Sequence, residues 1–321
     1  MKEKVLWLFF YGYHSARKYI NWVINRLKIK FHIPSLIKKG CLLSVEDTHR
    51  AIAEHIQDGV PALIARFGSN EALCTVEGIG IELGLRRKFS KKVLHLMHFN
   101  AGMFPQSQEM ARRFAQISCE AAKNVDILGF WNSFMQDYLA LNVCSPKTKL
   151  TSLTKLEPYS NHGGRPWTAA LKGKKVLVIH PFKDTIESQY TKRHLLFSDP
   201  DILPDFELIV LRAIQTIAEE KDSRFSDWEE ALNYMCEEAL KYDFDVAIIG
   251  CGAYGMPLAS KLKDNGKVAI HLGGATQLLF GIKGARWDSQ EQGKLYNKYW
   301  VRPSQNETPK AAKQIEDACY W

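Results

Sequence analysis

The chain of 321 residues contains no apolar run near the ~20 residues that a bilayer crossing requires, which excludes a multi-span membrane protein. No two of its seven cysteines form a C-x-x-C pair, and seven is an odd number. A disulfide framework and a zinc ribbon are therefore excluded, and a reducing compartment is expected. Internal repeats and low-complexity stretches are also missing. Nor does the body of the chain carry an excess of either charge. Of 43 Lys/Arg and 35 Asp/Glu, residues 1–40 hold nine basic side chains and one acid, Glu3, so the remainder holds 34 of each sign although the whole chain is at +8. A body without a basic field is no polyanion binder, and no nucleic-acid partner is expected. Composition is otherwise that of a globular protein, 46% apolar and 24% charged, and the length suffices for one large or two ordinary domains.

All of the charge excess sits on residues 1–39, read as a basic amphipathic helical extension. It opens with the apolar run Val5 to Tyr13, followed by Ile20, Val23, Ile24, Leu27 and Phe31 at helical spacing. A secretory signal would end in a small-residue cleavage site, whereas Tyr11, Tyr13, His14 and Arg17 stand there, so export is not expected. Trp7, Phe9, Phe10 and Trp22 are bulky residues favoured at a bilayer interface, and the basic side chains suit an anionic leaflet. The expectation is a cytoplasmic protein held peripherally at the inner face of the plasma membrane, with an anionic membrane surface as partner of residues 1–39. The alternative is a helix packed on the body or on a partner subunit, its charges solvated.

Residues 40–321 read as one α/β domain. Apolar runs at 61–67, 125–130, 174–180, 206–213, 244–249 and 267–272 alternate with helical stretches, among them 44–58, 106–123, 185–197, 226–242 and 256–265. Such alternation implies an open, mostly parallel, Rossmann-like sheet with helices on both faces. The stretch 131–167 reads as an irregular insertion. In sheets of this type the ligand crevice lies beyond the carboxyl ends of the strands, where every polar cluster of interest falls.

Gly250-Cys-Gly252-Ala-Tyr254-Gly255 is a G-x-G-x-x-G between a strand and a helix, where glycines admit a diphosphate close to the backbone and a helix N-terminus faces it. A nicotinamide fingerprint would be followed by an acid at the end of the next strand; here that strand ends in His271-Leu-Gly273-Gly274, so an oxidoreductase is disfavoured. Gly273, Gly274, Thr276 and Gln277 form a second glycine turn able to contact a ligand or simply to cap a helix. His180 ends another strand and Lys183 follows as a counter-charge, though a strand-end histidine is as readily structural. Arg66 ends the first buried strand, where a guanidinium should meet an anion, and Glu71 lies past the turn Gly68-Ser69-Asn70, placed to bind a metal or accept a proton. An Arg66–Glu71 ion pair that only pins the turn is the competing reading.

The pattern R-F-G-x-x-E over Arg66–Glu71 resembles the start of bacterial glycosyltransferases with the GT-D fold. The run Gly250 to Ala259 and the run His271 to Asp288 are similar to C-terminal stretches of GT-D-like proteins from polysaccharide gene clusters. The resemblance spans roughly residues 45–290. It implies a nucleotide-sugar donor, typically UDP-glucose, bound with a divalent cation such as Mn²⁺ or Mg²⁺ and no organic cofactor. It also implies a glycan, glycoprotein or lipid-linked acceptor. Arg66, Gly68 and Glu71 match the head motif, but Ser69 stands where the family has an aspartate, which leaves Glu71 as the one carboxylate for a metal. The resulting expectation is a glycosyltransferase with Glu71, Arg66 and His180 as catalytic residues. The donor would be held by Gly68, Ser69, Asn70, Lys183 and the turns at 250–255 and 273–277. A non-catalytic nucleotide-sugar-binding or scaffold subunit is the alternative.

Overall fold

The computed structural model describes residues 1–26, 36–131, 133–160, 164–217, 220, 222–315 and 318–321. Leu27 and Phe31 of the expected N-terminal periodicity lie outside the described residues. The elements run α1 (Lys2–Arg26), α2 (Val45–Asp58), β1 (Ala62–Arg66), α3 (Ser69–Glu82), α4 (Lys91–Phe99), α5 (Gln108–Lys123), β2 (Ile127–Phe130), α6 (Gln136–Asn142) and β3 (Lys149–Ser152). They continue with β4 (Lys175–His180), α7 (Lys183–Tyr190), β5 (Glu207–Arg212), α8 (Trp228–Leu240), β6 (Val246–Ile249), α9 (Gly255–Asp264), β7 (Val268–His271) and α10 (Thr276–Leu279). Short 3₁₀ turns fill much of the remainder.

Seven strands form one sheet in the order β3-β2-β1-β7-β6-β4-β5, and every pairing is parallel. Parallel strands buried on both faces should be apolar at successive positions, and β4 and β6 are: Val176 and Val178 enter one layer while Leu177 and Ile179 enter the other. The first layer is built with α2, α10 and the C-terminal segment, the second with α1, α3, α5, α8 and α9. The chain runs outward from β1 to β3, jumps to β4 and β5, then fills the gap with β6 and β7. All carboxyl ends therefore share one edge, with β1 and β7 adjacent at its centre (Leu63 opposite Ala269).

Local signals account for most helix ends. Ser44 caps α2 by accepting from the Asp47 N–H at 2.9 Å, and Gly59 ends it in the left-handed region. The cap of α8 is Asp227: its carboxylate accepts from the Glu230 N–H at 2.9 Å, while Glu230 reaches back to the Ser226 N–H at 2.7 Å. The stretch 131–167 is not irregular throughout, because it carries α6 and the edge strand β3, whose Leu150 pairs with Leu128. β3 is short and only Thr151 is fully buried, so it lacks an apolar run.

The N-terminal extension is helical through Arg26 but docked on the body. Trp7 and Phe10 are buried, the Trp7 indole N–H donates to the Val76 carbonyl of α3 at 3.2 Å, and His14 Nε2 pairs with buried Asp137 Oδ1 at 2.7 Å. Two of the four aromatic residues expected at a bilayer thus face the core. No helix among the described residues is long and apolar enough to cross a membrane.

Candidate functional site

A cavity of about 540 Å³ opens at the carboxyl edge of the sheet, lined by the segments that follow β1, β4, β6 and β7. Arg66 is the last residue of β1 and reaches it as a partly buried side chain. Among the described residues Arg66 makes no ion pair, so Glu71 is not its salt-bridge partner. The turn after Arg66 is fixed from outside, since the Phe67 carbonyl accepts from Trp131 Nε1 at 3.1 Å and from Gln136 Nε2 at 3.2 Å. Gly68 then caps α3, a 14-residue helix, and as a glycine brings no side chain of its own to the helix's first N–H groups. Ser69 and Asn70 line the cavity there, and the Glu71 carboxylate folds back over Gly68, in space that a Cβ would take. This places a positive helix terminus, a guanidinium and a carboxylate around one turn.

The glycine turns divide their labour. Gly250 abuts His180 Cδ2, Thr276 Oγ1 and the Gly273 carbonyl, so a Cβ would lie 2.6, 2.7 and 2.8 Å from them and could not fit without displacing them. Gly252 and Gly273 have φ of +57° and +61°, conformations that disfavour other residues, and both line the cavity. Gly255 does not line it: a side chain at this position would overlap the His271 ring, so the third glycine serves helix-to-strand packing. Gly274 lines the cavity under Tyr320. Thr276 is buried away from the cavity and donates to the Ile249 carbonyl at 3.3 Å, tying α10 to β6. Gln277 lines the site, but its amide nitrogen is committed to the carbonyls of Lys283 and Tyr320, both at 3.0 Å. Tyr254 is a wall rather than a polar contact, with its ring stacked on Trp228 at 4.9 Å and its hydroxyl 3.1 Å from Thr216 Oγ1.

Lys183 is not at the site. Its ammonium donates to the Val210 carbonyl at 2.7 Å and pairs with Glu187 at 2.9 Å, on the outer side of α7. His180 does line the cavity, but as a neutral ring. Burial lowers its pKa to about 3, and the Phe182 N–H donates to Nδ1 at 3.1 Å, which leaves the proton on Nε2. It can donate a hydrogen bond and cannot supply positive charge. His271 is likewise lowered to about 3, first by burial and then by the Arg66 charge. The Cys251 thiol, also lining the cavity, is pushed up by burial and is no nucleophile.

Several lining residues carry no signal in the sequence motifs. Glu157 is buried and accepts from Gln292 Nε2 at 3.2 Å, bringing the stretch after β3 to the site. Arg286 donates to the Tyr320 hydroxyl at 3.2 Å with its guanidinium 4.8 Å from that ring. Tyr320 and Trp321 complete this wall. Trp321 is held there by buried Glu307, which accepts from the Asp184 N–H at 2.7 Å and whose own carbonyl accepts from Trp321 Nε1 at 3.2 Å. The segment after residue 288 shows no strong periodicity, which is why its role was not legible. Arg286 lies within the motif-like run 271–288 but carries no spacing that singles it out.

No family model matches the chain, and no curated protein matches it. Among solved structures it is similar to a domain of unknown function, 1792, described as having a distinct glycosyltransferase fold. The identity is 12% and the TM-score 0.41 over 81% of this chain and 91% of that one. A selenomethionine-substituted structure of the same domain gives 13% identity and a TM-score of 0.40 over the same shares. Overlap at this level carries no functional weight by itself.

A divalent cation is the remaining expectation. Among the described residues no three His, Cys, Asp or Glu side chains gather into a metal-binding group. The turn after β1 offers one carboxylate, Glu71, and a serine at position 69, a donor set that does not fit a resident divalent ion.

Proposed function

We propose that the chain is a glycosyltransferase that moves a sugar from a nucleotide-sugar, a UDP-sugar first among candidates, to a hydroxyl of a glycan, glycoprotein or lipid-linked acceptor. The observation that carries this reading is Arg66: a guanidinium without an ionic partner among the described residues, standing in a crevice floored by glycine turns. That combination suits a diphosphate, which needs charge neutralisation and close backbone approach together. Breaking the glycosidic bond leaves negative charge on the departing diphosphate, and preorganised donors aimed at that charge lower the barrier most. Arg66 supplies the positive charge, the first N–H groups of α3 supply fixed dipoles, and His180 donates from Nε2. Glu71 takes the proton from the acceptor hydroxyl as it attacks the anomeric carbon. No step is routed through a metal.

The test is a thermal-shift panel on the full chain with UDP, GDP, CMP and ADP sugars and NADH, with and without Mn²⁺, followed by assay of sugar transfer. A ligand at 100 times its dissociation constant adds about 2.7 kcal/mol of stability. A shift with one nucleotide-sugar and release of its nucleotide are expected. Binding without turnover would support the scaffold reading, and a response to NADH alone would overturn the assignment.

A further inference from the structure

Docking of α1 leaves a second apolar face on the same helix. Val5, Leu8, Phe9, Tyr19, Ile20 and Trp22 are 41–67% exposed, although the opposite stripe, Trp7, Phe10 and His14, is buried. At 3.6 residues per turn the exposed set, with Gly12 and Ala16 between, falls on one outward side of the helix. Lys2, Lys4, Lys18 and Arg26 are exposed around it, and Glu3 is the only acid in the helix. Tyr19 stacks on Trp22 at 6.1 Å and the Arg26 guanidinium lies 5.5 Å from the Trp22 ring, so the far end of the face is an aromatic and cationic cluster.

We infer that this outward face of α1 docks in the plane of an anionic lipid surface, with the apolar side chains entering the acyl boundary and the basic ones meeting headgroup phosphates. The inference does not depend on the chemistry in the cavity. Charge complementarity selects the occupant. A second copy packed face to face would oppose lysine to lysine with a single acid per helix to offset them. An acidic protein would satisfy the charges but not the continuous apolar strip. A bilayer satisfies both, and each basic residue near an anionic leaflet strengthens binding about fivefold, a gain lost at high salt. The helix is tied to the body at two points: Trp7 bonds to α3, whose first turn lines the cavity, and His14 pairs with Asp137 of α6, next to the Gln136 that donates to the Phe67 carbonyl. A surface that captures α1 therefore captures the whole domain, and a lipid-linked acceptor would share that surface.

Flotation of the full chain with vesicles tests this. Vesicles of phosphatidylcholine with phosphatidylglycerol should carry the protein, pure phosphatidylcholine at least about tenfold less, and raising salt to about 0.5 M should weaken the binding. Leu8→Glu/Phe9→Glu changes two exposed side chains and should reduce flotation at least about tenfold with the melting curve of the wild type. Failure of the wild type to float with anionic vesicles overturns the inference, as does flotation of the double variant at the wild-type level. A wild-type dimer that the double variant dissociates also overturns it, since a second copy would then cover the face.

Discussion

Replacing Arg66 by methionine separates two physical accounts of the site. If Arg66 were the structural partner of Glu71, removing it would leave a partly buried carboxylate uncompensated and lower stability by several kcal/mol. Arg66 and Glu71 form no such pair, so Arg66→Met removes a cation that has no ionic partner among the described residues. Folding stability should change by less than about 1 kcal/mol, which in a domain this large moves the melting temperature by about 2 °C or less. Ligand binding should respond in the opposite sense. Charge-assisted hydrogen bonds are worth about 1.5–3 kcal/mol each, so the affinity for UDP should fall by about 10- to 150-fold if one such bond to the diphosphate is lost. Titration calorimetry with UDP on wild type and variant, beside urea unfolding of both, measures the two quantities independently. A variant that unfolds far more readily yet binds UDP as the wild type does would refute the reasoning.

Three further outcomes follow from the same geometry. Glu307→Ala should cost about 2–4 kcal/mol in urea unfolding, because it strips the carboxylate from the buried N-terminus of α7 and loosens the tail wall; a loss under about 0.5 kcal/mol would contradict that role. Gly255→Ala should cost about 1–3 kcal/mol through overlap with the His271 ring, measured the same way, and should do so with no ligand present. Stability should also fall as the medium is acidified. His180 and His271 stay neutral in the fold down to about 3, while in the unfolded chain they bind protons from about 6.5 downward. The unfolded state therefore holds more protons across that window, and stability, full above it, is lost at about 2–3 kcal/mol per pH unit while both rings titrate only when unfolded. A urea midpoint constant from pH 7 to pH 5 would contradict this.

The inner strands were legible because parallel strands buried on both faces must be written as short, continuous apolar runs, and β1, β2, β4, β6 and β7 are. β5 lies at the edge with only Val210 buried, yet still carries the apolar run Leu208 to Leu211. β3, at the opposite edge, escaped because its one buried side chain is Thr151 and its four residues KLTS form no apolar run. The placement of Arg66, His180, Gly250 and Gly273 at one crevice was equally legible, since an all-parallel sheet puts every strand's carboxyl end on one side. What each residue does there was not. Glycine spacing cannot tell a position that a ligand approaches from one that a neighbouring side chain fills, and Gly255 belongs to the second kind because His271, at the end of the next strand, lies against it. Residue type cannot tell a charged histidine from a buried neutral one, nor whether a lysine at the first position of a helix points inward, and Lys183 points to β5.

The N-terminal helix marks the same boundary between pattern and partner. Val5 to Tyr13 is apolar on nearly every side, so periodicity identifies a helix without saying which stripe is core. Burial resolves it: Trp7 and Phe10 hold the body, and Leu8 and Phe9, their immediate neighbours in sequence, face outward. An apolar helix with two distinct apolar faces and a rim of one charge can satisfy a protein core on one side and a charged lipid surface on the other. A helix meant only for packing would bear polar residues where this one carries Leu8, Phe9, Tyr19 and Trp22.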